Sequence, residues 1–158
     1  MSDAVLFDAR ADGIAVITLN RPDTRNALSA EVRDGLRAAW ERFERNTALR
    51  VAILTGAGDK AFCAGGDLKA MVADGMQVPP RDFFPLPYDS IEISKPTIAA
   101  VNGVAFAGGW MIAQACDLCV ASSTAKFAIT EVKVGRSSPW AAPLIHMIPQ
   151  RIMMEIIL

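Results

Sequence analysis

A glycine-rich stretch in the second half of the chain constrains the fold more than any other feature. Thr97–Val101 is a short apolar run with β-branched residues, which predicts a buried strand. Asn102-Gly103 is a turn signal, and small and apolar residues from Ala107 onward predict a buried helix. The adjacent glycines Gly108-Gly109 at its start let a ligand approach the backbone, where free N–H groups and the helix dipole favour a negatively charged oxygen. The stretch therefore predicts a strand–turn–helix unit that holds an anion without a charged side chain.

An earlier segment also has two adjacent glycines before a predicted helix. Phe62-Cys-Ala-Gly-Gly66 precedes Asp67, which can cap a short helix, so the two glycines again expose backbone amides at a helix start. Strand and helix signals alternate along the rest of the chain, and the repeated units predict a layered α/β fold. The predicted elements are a hairpin at 4–8 and 14–19, a helix over about 30–46 capped by Ser29, strands at 51–55, 118–121 and 126–129, an irregular segment at 75–90, and helices starting at Pro139 and near Pro149.

Length and charge exclude several classes of protein. The length of 158 residues predicts one core domain that spans residues 1–158. Sixteen Lys and Arg face seventeen Asp and Glu, a formal net charge of −1, so no overall field attracts nucleic acid or a membrane. No uninterrupted apolar run approaches the ~20 residues that span a bilayer. The N-terminus, Met1-Ser-Asp-Ala-Val, lacks the basic segment and apolar core of a signal peptide, which predicts a cytoplasmic protein.

The cysteines predict structural roles. In the cytoplasm, Cys63, Cys116 and Cys119 are expected to be reduced. Cys116 and Cys119 have the C-x-x-C spacing, but a zinc site needs about four ligands, and only Cys63 and the single histidine, His146, remain. We therefore expect buried thiols and no metal site.

Several pieces of the chain, in this order and spacing, resemble the enoyl-CoA hydratase/isomerase (crotonase) superfamily. They are Asn20-Arg-Pro, Asn26-Ala-Leu, and the segments 61–69, 95–109 and 125–135. The resemblance covers nearly the whole chain from the hairpin on. It implies a spiral of repeated ββα units, an acyl thioester of coenzyme A as ligand, no further cofactor, and assembly as a homotrimer or hexamer. The family also has a C-terminal helical region, which the resemblance implies is absent here.

The resemblance also implies the site. The backbone N–H groups of Gly66 and Gly108 form an oxyanion hole, and Glu131 moves a proton. Hydratases of the family place a second glutamate where this chain has Met111, whereas members with one glutamate move a proton between carbons. This difference favours isomerase-like or atypical hydratase or dehydratase chemistry. Further substrate contacts are implied for Trp140, which lies in the segment 137–142 where typical hydratases have a glycine-rich turn. They are also implied for Arg25, Ala27, Ala64, Asp67, Leu68 and Lys69.

Plainer interpretations remain open for each residue. Glu131 could be a solvated carboxylate at a strand end, and Gly108-Gly109 could serve only helix–strand packing. The turn at Gly65-Gly66 could need only its first glycine. Met111 suits an apolar pocket or core, and His146 a core or interface. The protein as a whole could be a catalytically silent acyl-CoA-binding or assembly module.

Overall fold

Two sheets organise the residues that the computed structural model describes, which are 3–73, 75, 80 and 82–157. The strands are β1 (Val5–Ala9), β2 (Ile14–Leu19), β3 (Val51–Gly56), β4 (Ala61–Cys63), β5 (Thr97–Val101), β6 (Val104–Phe106), β7 (Leu118–Ala121) and β8 (Lys126–Ala128). The helices are α1 (Ala30–Arg45), α2 (Leu68–Ala73), α3 (Gly108–Gln114) and α4 (Gln150–Ile157), with 3-10 helices at Pro22–Thr24, Glu131–Val134 and Pro139–His146.

The strands divide between the sheets in a repeating order. The larger sheet has the order β1-β2-β3-β5-β7, and the smaller has β4-β6-β8. β1 and β2 form the antiparallel hairpin, whereas every other pairing is parallel. In each repeat after the hairpin, the first strand joins the larger sheet, the second joins the smaller sheet, and a helix follows. The predicted α/β spiral of ββα units is thus confirmed, although β4 and β6 are too short to show a strand pattern in the sequence.

Helix α1 forms where its capping residue and apolar periodicity predict it. Ser29 accepts a hydrogen bond from the amide of Val32 at 3.3 Å, as an N-cap residue does. Apolar side chains spaced three and four residues apart form the buried face of the helix. They are Val32, Leu36, Ala39, Trp40 and Phe43.

The C-terminal end of α1 is fixed by a residue distant in sequence. The ammonium group of Lys95 donates to the carbonyls of Phe43, Glu44 and Asn46 at 2.8, 2.8 and 2.9 Å. These three carbonyls lie at the C-terminal end of the helix, where few helical donors remain, and the positive charge suits the negative end of the helix dipole. Lys95 therefore joins the end of α1 to the start of β5.

Two asparagines tie the turns of neighbouring repeats together. The Asn102 amide donates to the carbonyls of Gly56 and Gly58, both at 2.8 Å. Asn26 is fully buried, and its amide donates to Ala57 and Ala61 at 3.0 and 2.8 Å. Its side-chain oxygen also accepts from the amide of Arg21 at 2.9 Å. Both asparagines thus bond to the backbone of the segment between β3 and β4 and to the strand residues that border it.

The Asn26→Ala variant should lose about 2–3 kcal/mol of unfolding free energy, because buried backbone groups lose their partners. The left-handed backbone at Asn26, with φ 55°, adds strain for alanine. Asn20→Ala is the matched control, since the exposed Asn20 amide makes one bond, to the carbonyl of Asp3 at 2.8 Å. Urea denaturation would measure both variants, and equal losses would contradict the structural role of Asn26.

The structure differs from the sequence-based expectations near the C-terminal end. Pro139–His146 is a 3-10 helix and not an α-helix, and Pro143 within it lacks the N–H that an α-helix would use. His146 is exposed, so the expected core position is wrong, although an interface position is not tested. Helix α4 begins where a helix was expected. Leu158, and residues 76–79 and 81 of the segment expected to be irregular, lie outside the described residues.

The three cysteines are free, as expected, but not all are buried. Burial raises the pKa of the Cys63 and Cys116 thiols to about 12, whereas Cys119 lies exposed on β7. The described residues contain no cluster of three side chains that could hold a metal ion. Within that same part of the chain, no helix is long and apolar enough to cross a bilayer.

Candidate functional site

The glycine turns of two neighbouring repeats lie against each other. Gly65 has a φ of +99°, in the left-handed region that favours glycine. A Cβ atom on Gly65 would lie 2.9 Å from the carbonyl oxygen of Phe106 and 3.5 Å from the amide nitrogen of Gly108. Only glycine fits this approach. The starts of α2 and α3 are therefore brought together at the ends of the parallel strands β4 and β6.

Two backbone amides at this junction have no acceptor. Gly66 follows the left-handed Gly65, and Gly108 is the first residue of α3. Among the described residues, no hydrogen-bond acceptor pairs with the N–H of either glycine. Unpaired amides are normal in the first turn of a helix, and they are available to an oxygen of a ligand.

Apolar side chains border both glycines. A Cβ atom on Gly108 would meet the Cδ1 atom of Leu28 and the Cε1 atom of Phe84, each at 3.3 Å. A Cβ atom on Gly66 would meet the sulfur of Met71 at 3.0 Å. Because a low-polarity environment strengthens electrostatic interactions, a hydrogen bond made here to an anionic oxygen would be stronger than one made in water.

The loop before α1 runs beside the Gly65-Gly66 turn. The amide of Ala64 donates to the carbonyl of Arg25 at 3.0 Å, and the amide of Leu28 donates to the carbonyl of Gly65 at 2.8 Å. Arg25 and Ala64 thus contribute main-chain contacts that fix this turn. The Arg25 side chain is exposed, as are the predicted contact residues Leu68 and Lys69 on α2.

Asp67 has a structural role at the start of α2. Its Oδ1 atom accepts from the amide of Ala70 at 3.3 Å, as the predicted cap residue would. Its Oδ2 atom lies 3.4 Å from the guanidinium of Arg21. Arg21 also donates to the carbonyl of Ala27 at 3.4 Å. Both Asp67 oxygens and the Ala27 carbonyl are therefore engaged within the protein.

Glu131 lies on the repeat that follows α3. It opens the 3-10 helix after β8, and β8 is tied to α3 because the amide of Ala107 donates to the carbonyl of Ala128 at 2.9 Å. The indole N–H of Trp140 donates to the Oε1 atom of Glu131 at 2.6 Å. The Oε2 atom is buried and has no partner among the described residues. The carboxylate thus has one oxygen held by the protein and one available.

Helix α3 supports this carboxylate through Trp140. The Gln114 side chain donates to the carbonyl of Trp140 at 3.1 Å, and the rings of Trp110 and Trp140 meet edge to face with centroids 6.1 Å apart. Met111 is also on α3 and is 8% exposed, which agrees with an apolar role. One short helix therefore begins at the Gly108 amide and ends at the residue that holds Trp140.

The sequence pointed to Glu131 and Trp140 separately but not to their contact. It also missed Gln114 and Phe84. No local pattern marks these residues, because each acts on a partner that belongs to another element. The structure places Gly65, the residue before Gly66, beside Gly108, and Glu131 beside Trp140. It places Arg25, Leu68 and Lys69 at the surface around the glycine turn.

Comparison with known proteins gives consistent matches. The family model described as enoyl-CoA hydratase/isomerase matches residues 9–158. The (E)-benzylidenesuccinyl-CoA hydratase of Thauera aromatica is 40% identical over 160 residues, and the carnitinyl-CoA dehydratase of Proteus mirabilis is 40% identical over 139 residues. A crystal structure of an enoyl-CoA hydratase from Mycobacterium marinum matches with a TM-score of 0.84 and 41% identity.

These matches span most of this chain but only part of each relative. The two sequence alignments cover 92% and 85% of this chain, and 58% and 52% of the relatives. The structural match covers 98% of this chain and 61% of the other. The chain therefore spans about half to three-fifths of the length of the proteins it resembles.

Proposed function

Because this chain belongs to the enoyl-CoA hydratase/isomerase family, we propose that it acts on an acyl-CoA thioester through the amides of Gly66 and Gly108 and the carboxylate of Glu131. The observation that carries the proposal is the contact between the two glycine turns, where no described residue accepts a hydrogen bond from the amides of Gly66 and Gly108. The relatives named as hydratase and dehydratase of CoA thioesters support this class of substrate.

The two amides would stabilise the thioester oxygen as it becomes negatively charged. Removal of a proton beside the carbonyl moves an electron pair onto that oxygen and forms an enolate. Preorganised N–H donors favour this charged state over the neutral carbonyl, and loss of one such donor typically costs about 3–4 kcal/mol of transition-state stabilisation. The apolar side chains of Leu28 and Phe84 border Gly108 and would strengthen this effect.

Glu131 would take the proton from one carbon and return it to another. Its Oε2 atom is buried and has no partner in the part of the chain that the structure describes, so an acidic C–H of a bound substrate would meet a free acceptor. Met111 cannot carry a proton or orient a water as a second glutamate would. A single carboxylate therefore favours isomerase-like chemistry, or an atypical hydration or dehydration, over hydration by two carboxylates.

The remaining contacts would concern the coenzyme and the assembly. Arg25 and Lys69 are exposed near the glycine turn, where their charges suit the phosphates of coenzyme A. A trimer or a hexamer would cover apolar side chains that are exposed toward the end of the chain. They are Val132, Val134, Ile145, Met147, Ile152, Met154 and Ile157. The cytoplasmic location and the absence of a further cofactor stay predictions.

Turnover and binding together test the function. The full chain would be assayed on 2-enoyl-CoA, 3-enoyl-CoA and 3-hydroxyacyl-CoA, and binding of each thioester would be measured by calorimetry. Turnover of one of them is the expected result. Binding without turnover would favour the silent acyl-CoA-binding module, for which the buried Met111 is the specific support. If the chain showed no binding and no turnover of any of these thioesters, both functions would be contradicted.

The Met111→Glu variant should gain or increase hydration of 2-enoyl-CoA, because it supplies the carboxylate that two-glutamate hydration requires. Hydration would be followed by loss of the enoyl absorbance and by chromatography of the 3-hydroxyacyl product. Met111→Gln is the matched control, since it has similar size and polarity but cannot transfer a proton. Equal hydration by the two variants, both shown to be folded by circular dichroism, would refute this account of Met111.

A further inference from the structure

The bond between Trp140 and Glu131 assigns different roles to the two carboxylate oxygens. We propose that Trp140 is a positioning residue, whose indole N–H holds Oε1 and leaves Oε2 as the oxygen that exchanges the proton. The inference rests on the proposed role of Glu131 as the group that moves the proton. Trp140, which lies outside the two glycine turns, thus sets the orientation of the Glu131 carboxylate.

The geometry distinguishes the two oxygens. The Trp140 nitrogen lies 2.6 Å from Oε1, a short distance that is typical of a hydrogen bond to a charged acceptor. Oε2 is buried and has no donor among the described residues. The last torsion of a glutamate side chain is broad, so an unheld carboxylate would rotate and exchange its oxygens. The indole N–H removes this freedom and keeps Oε2 as the oxygen that no described residue bonds.

Trp140 can hold the carboxylate because it is itself held. The Gln114 amide donates to its backbone carbonyl at 3.1 Å, and the Trp110 ring packs against its indole. Gln114 ends α3, the helix that begins with the Gly108 amide. A continuous set of contacts therefore runs from that amide through α3 and Trp140 to Glu131. This arrangement fixes the carboxylate relative to the amide that would bind the thioester oxygen.

The Trp140→Phe variant tests this role, because it keeps an aromatic ring and removes the N–H donor. We expect kcat on the substrate of the wild type to fall about tenfold to hundredfold, as expected for a misplaced catalytic group. KM should stay within about twofold, since ground-state binding does not use the indole N–H. Trp40→Phe is the matched control, with the same substitution on α1, where the indole nitrogen has no partner among the described residues, and its kcat should stay within about threefold of wild type.

The results separate the inference from the function on which it rests. If Glu131→Gln retains turnover, the proposed function fails regardless of Trp140. If Glu131→Gln is inactive while Trp140→Phe matches Trp40→Phe in kcat, only the role of Trp140 is overturned. A parallel loss of kcat and rise of KM in Trp140→Phe would indicate a general packing defect and would also overturn it.

A second measurement does not require the Trp140→Phe variant to fold. With ¹⁵N-labelled tryptophan, the indole resonances of Trp40, Trp110 and Trp140 can be recorded in the otherwise unchanged protein and assigned with Trp40→Phe and Trp110→Phe. The Trp140 indole proton should lie downfield of the other two and move upfield in Glu131→Gln, because a neutral acceptor makes a weaker bond. An indole signal that is unchanged in Glu131→Gln would overturn the proposal.

Discussion

In the Glu131→Gln variant, kcat is expected to fall about 10²–10⁴-fold while the thioester still binds, because an amide cannot accept the proton that the carboxylate removes. The substitution preserves the size of the side chain and an oxygen that can accept from the Trp140 indole at the position of Oε1. It removes only the basic function. The measurements are steady-state turnover on the substrate of the wild type and calorimetric binding of the same thioester.

Glu155→Gln provides the matched control for this variant. Glu155 lies exposed on α4, so the same chemical change there should leave kcat and KM unchanged. A thousandfold loss in Glu131→Gln beside a normal Glu155→Gln would support a catalytic carboxylate. Turnover by Glu131→Gln within about twofold of wild type would remove Glu131 from the mechanism, since general-base catalysis contributes at least about 10²-fold.

The Gly109→Ala variant should lose about 3–5 kcal/mol of unfolding free energy, a large part of the stability of a typical domain. A Cβ atom on Gly109 would lie 2.1 Å from the carbonyl oxygen of Cys63 and 2.8 Å from its carbonyl carbon. These are backbone atoms of β4, so no rotation of a side chain relieves the overlap. Helix α3 would have to move away from the smaller sheet.

Gly108→Ala is the matched control in the same helical turn. Its Cβ atom would meet only the ends of the Leu28 and Phe84 side chains at 3.3 Å, and these can shift by a few tenths of an ångström. The expected loss is below about 1 kcal/mol. Urea denaturation gives both values. Comparable losses would show that the approach of α3 to β4 is not as tight as the structure has it.

Local features of the fold could be predicted from the sequence because their causes are local. The cap at Ser29, the buried face of α1 and the cap at Asp67 each depend on residues within one or two helical turns. The strands β4 and β6 could not be predicted from periodicity, since three residues show no alternation. They form because a neighbouring strand pairs with each of them in the smaller sheet.

In the candidate site, too, the features with local causes could be predicted from the sequence, and those that depend on distant contacts could not. The glycines at the two helix starts indicate close approach by themselves, and the family motifs pointed to Glu131. The bond from Trp140 could not be predicted, because it depends on how the 3-10 helix at Pro139–His146 packs against α3. The hydrogen bonds from Lys95 to the end of α1 could not be predicted either, because they join residues about fifty positions apart in the sequence.

The three hydrogen bonds of Lys95 to the end of α1 also fix one end of the connection between α2 and β5. The connection from α2 to β5 follows Ala73 and ends at Lys95, which is bonded to α1, and α2 itself is preceded by Asp67, which is bonded to Arg21. Because both ends are anchored, a change in its length costs little, about 0.6 kcal/mol of loop-closure entropy per doubling. Phe84, which borders Gly108, belongs to this connection. A substitution at Phe84 would therefore change the apolar border of Gly108 without changing the contact between the two glycine turns.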